Sequence, residues 1–129
     1  MMCPVGTNGR RFDVSLGVYG QEVPAALADR TTHWLAGDLY NGTMQRQEPG
    51  WYVDADPAAG ESVEDHVAWL LEVVRPSADL IRNRPEGGRA RLLISVYRRR
   101  RQPAPAVYLS PRQVAELADM RVAVDVDVY

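Results

Sequence analysis

An α+β fold is predicted for this chain of 129 residues, and three observations carry the prediction. Two segments near its ends, FDVSLGVY and VAVDVDVY, alternate apolar and polar residues with the two-residue period of a half-buried strand. Between them, Val67, Leu71, Val74, Ala78 and Ile81 recur at four, three, four and three residues, which is one face of a helix. The remaining short apolar segments are divided by turn dipeptides rather than by regular helices. That favours a mixed or antiparallel sheet with helices packed on one face. The predicted whole is a single domain over residues 11–129, preceded by a flexible N-terminal tail over residues 1–10. It has one long kinked helix, two short helices and the element order βαββαββαβ.

Each element has a local cause. Phe12, Val14, Leu16 and Val18 share one face of the first strand. In EVPAALADR, Pro24 stands where a helix start tolerates a missing N–H, so a short helix follows. HWLAGDLYNGT reads as a strand entering the Asn41-Gly42 hairpin turn, whose two residues readily take positive backbone angles. Pro49-Gly50 turns the chain into the strand WYVDAD. Ser62 and Asp65 form a capping box at the head of the long helix, and Pro76 should kink it near Arg75. Glu86-Gly87-Gly88 ends it. RARLLISVYRRRR, apolar on both faces, is the expected central strand. AVYL is read as a further strand, Ser110, Pro111 and Gln113 as a strong helix start, and the final alternating run as the last strand. There, Val122, Val124, Val126 and Val128 should form a buried face, with Asp125 and Asp127 on the other.

Composition narrows the function classes. Hydrophobic residues at 46% and charged residues at 25% are ordinary globular usage and argue against both disorder and a membrane class. The formal charge of −2 argues against general polyanion binding while leaving room for a local basic patch. All basic residues are arginine, which excludes lysine amine chemistry. With one cysteine, Cys3, neither an intramolecular disulfide nor a cysteine metal cage can form. The expected location is cytoplasmic, since MMCPVGTNGRR lacks the apolar core of a secretory signal and no stretch reaches the length of a membrane span.

Several landmarks appear in a specific order: Gly37-Asp38 after a short first helix, Trp51 opening a strand, the Leu70-Leu71 to Pro76 to Ile81 run, and VYLSPRQVAELADM leading into VDVDVY. In that order and spacing, the chain over roughly residues 11 to 129 resembles a bacterial family known as domain of unknown function 4279. It differs from the usual pattern in lacking a basic residue just before Gly37-Asp38 and in ending its short helix with ADRTTH. The resemblance implies the α+β fold and no particular reaction.

Candidate chemistry is confined to three places. His33, Trp34, Asp38 and Trp51 combine a histidine–carboxylate pair with aromatic walls and could bind a small molecule or act on it. Arg98, Arg99, Arg100 and Arg101, beside Tyr97 and Tyr108, could grip phosphates or an acidic protein surface. The chain's acidity weighs against nucleic acid and toward a protein contact. Asp125 and Asp127 stand about 7 Å apart on one strand face, where a solvated or arginine-paired role is expected. No catalytic residue, metal ligand set or cofactor motif is assigned: HExxH, G-x-S-x-G, Walker and GxGxxG patterns are all absent from the sequence. The expected function is a non-catalytic binding or protein-interaction module, of an immunity type that neutralises a partner protein. The alternatives are a small-molecule binding protein or enzyme built on His33, Asp38 and Trp51, and nucleic-acid binding through Arg98 to Arg101. An exposed edge strand would also allow two copies to pair.

Overall fold

The computed structural model describes residues 11–129, so the predicted tail over residues 1–10, with Cys3, lies outside the described residues. The chain forms β1 (Phe12–Tyr19), β2 (Thr32–Trp34), β3 (Leu39–Tyr40), β4 (Met44–Gln45) and β5 (Gly50–Asp54). These are followed by α1 (Val63–Val74), α2 (Ala78–Arg82), β6 (Arg89–Val96), α3 (Pro111–Asp119) and β7 (Ala123–Val128). The main sheet has five strands in the order β2-β5-β1-β6-β7, and β3 with β4 makes a separate hairpin. Every pairing in the main sheet is antiparallel except β6 with β7, which is parallel because α3 carries the chain back across the sheet between them. The fold is a mixed-sheet α+β domain, as the alternation and helical period predict.

One sheet face is covered by the helices. Phe12, Val14, Leu16 and Val18 of β1 point into the same core as Trp51, Leu92 and Ile94, against Val67, Leu70 and Ile81 from the helical layer. Both capping boxes predicted from sequence are present: Ser62 with Asp65 opens α1, and Ser110 with Gln113 opens α3. Gln113 is itself buried and donates a second bond to the Glu64 carbonyl at 2.9 Å, tying α3 to the start of α1. The long helix breaks at Pro76 into α1, a single tight turn over Arg75–Ser77, and α2, since proline cannot donate to the helical ladder.

The short helix after Pro24 is present as a 3₁₀ segment, Ala25–Arg30. Four expectations need correction. The predicted strand HWLAGDLY is two strands: the Asp38 carboxylate accepts a bond from the Leu35 backbone N–H at 2.7 Å and closes a turn between β2 and β3, so only Asn41-Gly42, at φ 53° and 75°, acts as the hairpin turn. AVYL forms no strand, and Tyr108 and Val107 are exposed. It follows Pro103 and Pro105, which lack the N–H groups a ladder needs. Finally, β1 and not β6 is the middle strand, and of the predicted valine face Val122 is buried but the three valines of β7 are not. Val124, Val126 and Val128 retain 43%, 45% and 53% exposure because β7 is the sheet edge and runs past the helical cover.

Candidate functional site

Among the described residues, the second sheet face carries no helix. Strand alternation places Asp13, Ser15, Gly17 and Tyr19 of β1 on it, with Tyr52 and Asp54 of β5, Arg89 and Arg91 of β6, and Asp125 and Asp127 of β7. Here the parallel register matters. Arg91 lies opposite Ala123 and two residues from Asp125's partner Leu93, so its guanidinium reaches the Asp125 carboxylate at 3.2 Å.

At the end of this face where β6 begins and β7 is entered lies a cleft of about 690 Å³. Arg84, Arg89, Arg91 and Arg121 line it together with Tyr19 and Asp125. Each arginine is held differently. Arg89 pairs with Glu48 at 2.5 Å, and its guanidinium lies 5.9 Å from the Tyr19 ring centre. Arg84 donates to four backbone carbonyls, those of Ile81 (2.8 Å), Gly88 (3.0 Å), Met120 (3.0 Å) and Arg121 (2.6 Å). It thereby ties the end of α2 and the start of β6 to the turn before β7. Partial burial, followed by the like charge of Arg121, lowers its pKa from the ordinary arginine value. For Arg91, burial pulls the pKa down, but Asp125 and the Tyr19 hydroxyl outweigh it and the net shift is upward. Arg121, in left-handed backbone at φ 58°, makes no ion pair among the described residues.

An aromatic wall adjoins the cleft. Tyr19 stands 5.9 Å from Trp34, and Trp34 6.3 Å from Tyr52, measured between ring centres. Trp34 is locked from both ends: its indole N–H donates to the Glu48 carbonyl at 3.1 Å, and the Arg46 guanidinium covers the ring at 4.1 Å. The ring lies over Gly50, its cross-strand partner, at a closeness that only a missing Cβ permits.

The structure does not gather the sequence-predicted residues into one site. Thr32 and Trp34 pair with Tyr52 and Gly50 on the open face, whereas His33 pairs with Trp51 on the helix side. Trp51 has no exposed surface, and its indole N–H finds no partner among the described residues. His33 is exposed at the sheet edge, with Nδ1 3.4 Å from the Thr31 hydroxyl. Asp38 closes its local turn. Arg98, Arg100 and Arg101 are exposed, while Arg99 is half-buried and lines a different cleft of about 480 Å³ with Arg11, Phe12 and Glu61. Tyr97 stacks on Tyr129 at 5.5 Å and donates to Asp13, so one of its ring faces is already taken. Among the described residues no three histidine, cysteine, aspartate or glutamate side chains group as metal ligands would, and no helix is long and apolar enough to cross a membrane.

Sequence reading missed the arginines of the cleft because they are scattered. A signal existed in RARL, where Arg89 and Arg91 alternate with Ala90 and Leu92 and so must share the face opposite the core.

An α+β domain with one bare, polar sheet face and a basic cleft at its rim is thus defined. A family model described as Domain of unknown function (DUF4279) matches residues 28–129, and the chain belongs to that family. No curated protein and no solved structure matches it.

Proposed function

We propose that this protein is a non-catalytic binding module that holds a small anionic ligand, bearing a phosphate or carboxylate group, in the arginine-lined cleft of its open sheet face. The observation that carries this reading is the charge imbalance: four guanidinium groups and a single lining carboxylate, Asp125, share one concavity. Its size falls within the usual range for small-molecule sites, about 300–1,000 Å³. Guanidinium forks match phosphate and carboxylate oxygens in pairs, and Tyr19 offers a ring edge for an organic substituent. Arg84 is spent on carbonyls, so Arg121 and the free nitrogens of Arg89 and Arg91 are the ligand donors. The lining holds neither of the chain's two histidines nor a serine or cysteine, which is the basis for reading it as binding rather than turnover.

Titration of labelled protein with phenyl phosphate and with inorganic phosphate tests the reading. Amide shifts should cluster at Arg89–Arg91 and Arg121–Asp125, saturating in the range of about 0.1–10 mM, with the aromatic phosphate the tighter binder. Arg121→Ala should weaken binding about tenfold, and raising the salt should weaken it further. Shifts scattered over the surface, or indifference to Arg121→Ala, would defeat the assignment.

A further inference from the structure

We infer that the outer edge of β7 is a docking strand for an extended segment of another protein in which apolar and basic residues alternate. In a parallel pair, alternate residues direct both backbone groups to the neighbouring strand. Tyr129 does so, donating to the Val96 carbonyl at 2.9 Å and accepting from the Arg98 N–H at 3.2 Å. Asp125 and Asp127 share its phase. The N–H and C=O groups of Val124, Val126 and Val128 therefore face outward, away from β6, and an added strand would complete them.

The side chains on the two faces of this edge define the partner. On the helix side, Val124, Val126 and Val128 are about half exposed, so an added strand gains most by placing apolar residues beside them. On the open side, Asp125 and Asp127 call for positive charge, since opposite charges across a strand pair attract and like charges repel. The opposite edge is a poorer platform, because β2 is only three residues long.

Charge also rules against a second copy of this chain as the occupant. Pairing two β7 strands antiparallel about Val126 sets Asp125 against Asp127 twice. Centring on Asp125 or on Asp127 sets that carboxylate against its own copy. A one-residue shift that avoids these contacts would put valines on the aspartate face. Every antiparallel register that keeps the faces matched and pairs more than three residues of β7 thus opposes carboxylates, so a partner that covers the strand must bring the cations.

The test uses a synthetic peptide of alternating valine and arginine, about eight residues long. Two controls have the same composition: one with valines and arginines in separate blocks, and one N-methylated at alternate residues. The alternating peptide should shift the amides of Val124–Val128, and both controls should bind at least about tenfold more weakly, since charge alone gives no strand register. Val126→Pro should abolish binding without breaking the ladder to β6, because the Val126 N–H points outward. The Asp125→Asn, Asp127→Asn double variant, which leaves the backbone untouched, should weaken binding about fivefold to tenfold. Equal affinity for the block peptide, shifts centred elsewhere, or a concentration-dependent dimer whose interface maps to β7 would overturn the proposal.

Discussion

Replacing Gly50 with alanine tests whether a single missing Cβ positions the aromatic wall. An alanine Cβ there would overlap Cζ2 of Trp34, lie 2.8 Å from its Cε2 and lie 3.0 Å from the Val18 carbonyl oxygen. Carbon pairs settle at about 3.5–4.0 Å, so the indole would have to retreat by about 1 Å. Its hydrogen bond to Glu48 and its stack under Arg46 resist that movement. Overpacking of this size costs about 1–3 kcal/mol, and a value near 2 kcal/mol is expected. Trp34→Ala alone should cost about 3 kcal/mol, the low end for a buried tryptophan because β2 is an edge strand. In that background the new methyl still meets the Val18 carbonyl oxygen at 3.0 Å, which offsets the advantage of about 0.5–1 kcal/mol that alanine in a strand has over glycine. Gly50→Ala should then be close to neutral, giving a coupling of about 2 kcal/mol between the two positions. Urea unfolding of the four proteins, followed by far-ultraviolet circular dichroism so that the lost indole does not alter the signal, measures it. Equal cost of Gly50→Ala in both backgrounds would show that the Val18 backbone, and not Trp34, is what the glycine accommodates.

Two further outcomes follow from single side chains. Arg84→Ala strands four carbonyls at a half-exposed junction and should cost about 2 kcal/mol in urea unfolding, while Arg84→Lys, with one point donor in place of a fork, should recover less than half of it. Full recovery by lysine would mean that only charge matters there. Burial, and then the Asp13 carboxylate that accepts its hydroxyl hydrogen at 3.0 Å, raises the Tyr97 pKa above the ordinary value of about 10.0. A phenol that holds its proton longer when folded contributes stability that is whole below the unfolded pKa and is lost as pH climbs through the raised one. Above about pH 10 the wild type should therefore lose stability more steeply than Tyr97→Phe, and parallel slopes would contradict the shift.

What the sequence made legible was local. Alternation in Phe12–Tyr19 and Arg89–Val96, and the serine caps at Ser62 and Ser110, depend on residues within a few positions of one another, so reading them required no knowledge of the neighbours. Alternation in the last strand assigned Val124, Val126 and Val128 to one face correctly, but it carries no information on whether a helix lies above that face. Exposure there follows from the edge position, which only the strand order supplies. The candidate sites diverge for the same reason. Arg98 to Arg101 are contiguous in sequence, yet Arg99 lines one cleft while its neighbours remain exposed. Arg84, Arg89, Arg91 and Arg121 are gathered by the parallel pairing of β6 with β7 and by the carbonyl clip of Arg84.

The cleft and the β7 edge meet at Asp125, and this makes the two proposed sites interdependent. An anion on Arg91 and a basic residue beside Asp125 each replace one partner of the same ion pair, whose side chains are 46% and 48% exposed. A pair so exposed is worth about 0.2–1 kcal/mol, and when both ligands bind it is broken once rather than twice. The coupling is therefore positive and at most about 1 kcal/mol, so phenyl phosphate should bind up to about fivefold more tightly with the alternating peptide in place, and the peptide should respond reciprocally. Direct attraction between the two ligands acts in the same direction but is screened within about 3 Å in 1 M salt. Because high salt would also weaken the exposed Arg91–Asp125 pair itself, the decisive comparison is with Asp125→Asn at the same moderate salt: the variant, which lacks the shared ion pair, should show less cooperativity than wild type. Identical behaviour of the two proteins would show that Asp125 links nothing.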